Sequence, residues 1–535
     1  MTVPTSQEAL RPLYRPARPV PFELAQHASI FLEEKLYTQG LNFLLNILTS
    51  GTVASTPALV PPVQHLAVAA TFLVHPATTT RAKTAEEEEA PHAALRLLRL
   101  TNTLVGPIAS KLGPAFSFSH LEISRHGGRR RADDTPVRGD LSADDARPLN
   151  LDLGQSQSLW SRAGDFWHAV GWAFNCSVLH HERWARWQVW LEFMCDVLES
   201  DWNERTRHRH RDKTKEQDPS LQILKDSLIF QYIDEASAVY GRNRRIVRSI
   251  FADGGSTSSN EFREVFSHEL KHAAKTDSAN GKKRSAQRPQ SPRPRPRHQH
   301  ARRPYGGSAP STGIIVPINE IPTKHIPYMH GDVGFFGGMR SLALRQRLLH
   351  LLSTVSEFLP EDFTPLEDLY HLFAENIRHL PLPIFQAFIS PTVLPSFSPA
   401  AQTTLCEFLL YRMRETAAPT SDEEYLNQGK LVQCFLPYSA NTSSTSDNAK
   451  ISIILESLLI LLADSSMLTS DPALDRAVRD GIDARARKSQ RESRRDDGSQ
   501  FADHIEYTWL AESAERLLFL VDEFLPHVEG TAMVE

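Results

Sequence analysis

Cysteine is scarce in this chain: four thiols in 535 residues, Cys176, Cys195, Cys406 and Cys434, none in a CxxC pair. That spacing argues against a disulfide framework or a thiolate metal site, and free thiols in a reducing compartment are expected. Long apolar runs are missing too. The longest, residues 451–463, is broken by Ser452, Glu456 and Ser457, and it falls short of the roughly 20 residues a membrane-spanning helix needs. The opening MTVPTSQEALRPLYRPARPVPFE has no apolar signal core, and its prolines spoil an amphipathic transit helix. An intracellular protein with no membrane partner is expected, so the glycosylation pattern Asn441-Thr442-Ser443 carries no weight. Nor is there an alternating strand pattern of convincing length, which leaves an all-α chain as the default.

What the sequence does have is a concealed charge asymmetry. The net charge is −5, yet residues 275–303 hold ten Lys or Arg against the single acid Asp277, a local +9 that leaves −14 for the rest. The same stretch, GKKRSAQRPQSPRPRPRHQHARRPYGG, has almost no aliphatics and proline at short intervals. Such a composition cannot bury enough apolar surface to offset the entropy of ordering it, so 276–312 is expected to be a disordered, basic linker. Residues 117–152, with Gly127-Gly128, Arg129 to Arg131 and several aspartates, read as a second linker.

Between the linkers the periodicity is helical. Residues 1–20 form a Pro-rich tail. In 21–116, Leu24, Ala28, Phe31 and Leu32 share one face, and Leu41, Leu44, Leu45 and Leu48 share another, with Gly40 between them and Gly51 as a stop. A second pair is expected at 66–74 and 92–104, separated by a polar insert, 76–91, that contains Glu86 to Glu89. The order of small Ala28, aromatic Phe31, Tyr37, small Gly40 and Leu44 resembles the tetratricopeptide repeat hairpin. In such hairpins small residues let two helices approach and an aromatic fills the crevice. The resemblance covers about residues 22–107 and implies a protein-binding array. Ile47 and His27 depart from the family pattern, and the second pair is out of its 34-residue register.

The block 153–275 holds seven of the eight tryptophans, and Trp187, Leu191, Met194 and Leu198 follow helical spacing. A core built from large side chains is the principal reading. Trp184, Trp187 and Trp190 are also candidates for a partner-binding groove. In 313–527, helices are expected at 342–358, 366–380, 384–389, 403–414, 425–435, 451–462 and 509–525, with prolines marking short connections. Residues 528–535 are a tail. The whole reads as irregular, helical-repeat-like blocks separated by basic linkers.

Few residues point to chemistry. His268-Glu269-Leu270-Lys271-His272 matches HExxH, in which two histidines on one helix face hold zinc and the glutamate activates its water. Lys271 and Lys275 crowd the motif with charge, and no further ligand pattern follows, so it reads instead as the solvated end of a charged helix. The glycines of 331–338 lack the Lys-Ser/Thr ending of a phosphate loop and read as a lead-in to a helix. No catalytic residue, metal or cofactor is expected. The strongest candidates are Lys282, Lys283, Arg284, Arg293, Arg295, Arg297, Arg302 and Arg303. They could engage a nuclear import receptor, contact a phosphate backbone, or serve only as a solubilising tether. The function expected is a non-enzymatic helical scaffold for protein–protein interactions in the nucleus, with the cytoplasm as second location. The alternative is a nucleic-acid-associated factor working through 276–304, and a zinc hydrolase at 268–272 is the remote one.

Overall fold

A computed structural model describes residues 14–51, 56–118, 149–212, 219–236, 241–270, 335–391, 397–421, 425–493 and 500–525. The fold is all-α. In chain order the helices are α1 (Phe22–Glu33), α2 (Tyr37–Leu48), α3 (Val63–Val74), α4 (Ala85–Val105), α5 (Leu112–Ala115), α6 (Leu159–Arg162), α7 (Phe166–Leu179) and α8 (His181–Asp212). Then come α9 (Pro219–Lys225), α10 (Leu228–Asp234), α11 (Arg242–Ile250), α12 (Ser256–Glu261), α13 (Gly338–Phe358) and α14 (Leu366–Ile377). The chain continues through α15 (Leu382–Ile389), α16 (Pro399–Met413), α17 (Gln428–Cys434), α18 (Thr445–Asp464), α19 (Pro472–Ser493) and α20 (Gln500–Phe519). Two three-residue strands, β1 (Ala17–Pro19) and β2 (Ala58–Val60), pair in parallel. They are too short for any alternation to show in the sequence.

The first hairpin follows from its small residues. A Cβ added to Gly40 would sit 3.1 Å from Phe31 Cβ and 3.2 Å from Leu32 Cδ2, so the glycine lets α2 lie against α1. His27, Phe31 and Phe43 close its outer side, with ring centroids 5.3 and 6.0 Å apart. The second pair is α3 against α4, but α4 starts earlier than its sequence suggests. Thr84 accepts from the Glu87 N–H at 3.2 Å while Glu87 accepts from the Thr84 N–H, and this capping box starts the helix at Ala85, six residues before the interior Pro91.

The described residues form one compact unit, and one connected apolar core runs through it from Ala28 to Leu525. Helix α7 sits near its centre, packed against α8 and α11, while α13 crosses both α7 and α8. Farther along the chain, α18 is the hub, buried on nearly every side by α15, α16, α19 and α20. That explains its apolar run: the helix spans a protein interior, and no helix among the described residues is long and apolar enough to cross a membrane. Residues 119–148 and 271–334, which contain most of both expected linkers, lie outside the described residues.

Candidate functional site

A groove lies beside α1. It has a volume of about 590 Å³ and is open to solvent along one side. Phe22, Ala25, Gln26, Ser29, Ile30 and Glu33 line it, a spacing of i, i+3, i+4, i+7, i+8 and i+11 that places all six on one face of the helix. The opposite face buries Ala28 and Leu32 in the hairpin. Phe22 and Ile30 remain 47% and 48% exposed. The floor comes from β1, from the prolines that precede α1 and α3, and from the 109–111 turn. Strand β1 uses the Pro16 carbonyl and the Val20 N–H to bind β2. Alternation along the parallel ladder turns the Ala17 N–H and the carbonyls of Ala17 and Pro19 to the opposite edge of β1, and both residues line the groove. His65 closes its inner end, with Nε2 3.1 Å from the Ser29 hydroxyl. Burial drives the His65 pKa down to about 4, so the ring is neutral at ordinary pH.

The HExxH match has a different role from either one read in the sequence. Residues 267–270 form a turn, His268 has a left-handed φ of 59°, and His272 lies outside the described residues. A zinc pair at i and i+4 requires a continuous helix, and the described part of the motif is not helical. Nor is Glu269 solvated: it is 1% exposed. Its carboxylate accepts from Trp172 Nε1 at 3.0 Å, Trp187 Nε1 at 2.6 Å, Arg183 Nε at 2.8 Å and the Phe266 N–H at 3.2 Å. The Arg183 Nη2 also reaches it, and donates onward to the Val74 carbonyl. With its lone pairs taken by indoles and a guanidinium, this carboxylate neutralises a buried cation and is not placed to activate water. Next to it, His75 stacks edge-on against Phe266 at 4.7 Å, and burial with Arg81, Arg183 and Arg162 lowers its pKa to about 3.

Trp184, Trp187 and Trp190 are 7%, 0% and 0% exposed. All three belong to the core, as the principal reading had it, and none offers an indole face to a partner. Lys282, Lys283, Arg284, Arg293, Arg295, Arg297, Arg302 and Arg303 lie outside the described residues. Sequence reasoning missed Arg345, which is wholly buried in α13. Its guanidinium lies between the rings of Phe174 and Phe336, 4.0 and 3.7 Å from their centroids, and donates to the carbonyls of Ile250 and Ala252. Desolvation pushes its pKa well below that of a free arginine. The one advance signal was an arginine on the apolar stripe of the expected 342–358 helix.

Among the described residues no group of three or more His, Cys, Asp or Glu is gathered closely enough to hold a metal ion. No protein-family model and no curated protein matches the chain.

Proposed function

We propose that this protein is a non-enzymatic interaction scaffold, and that the groove beside α1 receives a short extended segment of a partner protein. The observation that carries this reading is the α1 stripe. A surface helix ordinarily turns polar residues outward, whereas here Phe22 and Ile30 stand half-exposed above a cleft. The groove-facing edge of β1 supplies main-chain partners for an added strand, and the apolar stripe supplies anchorage for its side chains. The experiment is affinity capture from the native cell with the wild-type chain and with the double variant Phe22→Asp/Ile30→Asp. A stoichiometric partner retained by the first and lost by the second supports the reading. Equal recovery by both chains, or no stoichiometric partner for either, overturns it.

A second reading rests on the charge reversal at 275–303. In it the basic tract contacts a phosphate backbone, and binding falls linearly in log–log form with salt, the slope set by the number of phosphates neutralised. Nucleic-acid binding unchanged after deletion of 276–304 excludes this reading. The same deletion tests nuclear import, which Lys282-Lys283-Arg284 would mediate: a chain that still accumulates in the nucleus does not use the tract as its signal.

A further inference from the structure

Both borders of the basic segment are fixed to the same short stretch of α7. On the N-terminal border, a strap from α12 to Glu269 runs along the helix. Asn175 donates to the carbonyls of Ser258 and Phe262, at 3.2 and 3.1 Å, and its own carbonyl accepts from the Gly254 N–H at 2.9 Å. Phe262 lies directly on Gly171, where an added Cβ would sit 2.3 Å from the ring. The strap ends where Glu269 accepts from Trp172 Nε1. On the C-terminal border, Phe336 and Gly337 adopt left-handed φ of 75° and 84°, and a Cβ at Gly337 would collide with the Ser177 hydroxyl at 2.3 Å. Arg345 then locks this border, stacked between Phe336 and Phe174 of α7.

The two anchor points, Trp172 and Ser177, are five residues apart on one helix, about 7.5 Å along its axis at 1.5 Å per residue. About ten extended residues would cover any path between such neighbouring borders with length to spare, at ~3.3 Å each. Residues 271–334 are far more than the connection requires. The helices before and after them also share one core without a break.

We infer that this segment is an insertion into a single folded body, and not a tether between separable domains. The strap at Glu269 and the turn at Phe336–Gly337 are the two feet of that insertion, and α7 is the base on which both stand. The fold therefore closes without the basic tract, and cutting the tract leaves two chains held together by the core.

The test uses the full chain. A specific protease site is placed within 276–304, the protein is folded and purified, and the site is then cut. The expected result is that the two pieces co-elute at the volume of the uncut protein and separate only in denaturant. A companion variant replaces 273–330 with about ten Gly/Ser residues, and its cooperative unfolding midpoint is expected to stay close to that of the intact protein. Separation of the cut pieces in native buffer overturns the inference, as does loss of the cooperative transition in the shortened chain.

Discussion

At the scale of single residues, the interior is organised by a few buried polar groups that each hold several segments. Glu269 is the clearest case, because its side-chain donors lie 82 to 97 residues earlier in the chain. Its own pentapeptide, with lysine inside, suggested solvent. Nothing local could have shown that two indoles and a guanidinium would converge there. The neutral buried histidines lead to a prediction. His65 and His75 are held at about 4 and about 3, against an unfolded value near 6.5. Above pH 6.5 both states are neutral and nothing is lost. As the pH falls below 6.5, the unfolded chain takes up protons that the folded chain refuses until pH 4 or lower, so stability declines with acid. Each histidine contributes about 1.4 kcal/mol per pH unit within that window. Urea midpoints at pH 7, 6 and 5 measure the slope. His75→Asn keeps an acceptor for the Ala77 N–H and is expected to flatten the slope by one histidine's share; an unchanged slope refutes the assignment.

At the scale of elements, the helices that sequence periodicity identified were those with a clean apolar stripe, such as α1, α2, α13 and α14. Two helix boundaries have local causes. Leu221, Leu224, Leu228 and Tyr232 keep helical spacing, yet the chain breaks at Ser227, whose hydroxyl caps α10 by accepting from the Phe230 N–H. Likewise Asp165 caps α7 and separates it from α6, and Arg245 fixes that carboxylate at 2.7 Å. Helix α19 was missed altogether. Its sequence, PALDRAVRDGIDARARKSQRES, is dominated by charge and contains a glycine. Tertiary packing accounts for both features. A Cβ at Gly481 would lie 1.8 Å from the Leu436 carbonyl oxygen, and Arg485, wholly buried, donates to the carbonyls of Leu436 and Tyr438. Gly481→Ala gains helix propensity of about 1 kcal/mol, but it must push backbone away from backbone. A net loss of about 1–3 kcal/mol is expected by chemical denaturation. A variant more stable than the wild type would show that α19 can move away from this contact.

At the scale of the whole molecule, the three helical blocks are joined by one core, and that has a measurable consequence. Seven of the eight tryptophans precede residue 203, and only Trp509 lies in the C-terminal part. Tryptophan fluorescence therefore reports chiefly on the first half, whereas far-ultraviolet circular dichroism reports on all the helices. If the halves share one cooperative unit, the two signals give the same urea midpoint. Midpoints that differ would mean that α18 and its neighbours unfold independently of α7 and α8.

The sequence by itself determined the helical class, the first hairpin with its close contact at Gly40, and the core character of the tryptophans. These properties follow from residue spacing and side-chain size, which act within a few turns of chain. It also marked the basic tract, because charge can be counted without coordinates. Only the tertiary structure decided that Glu269 is an interior anion, that no described residue covers the α1 stripe, and that both borders of the basic tract stand on α7. Each of those depends on which distant segment fills the space beside a given face. That is settled by packing across the whole core, and local periodicity holds no record of it.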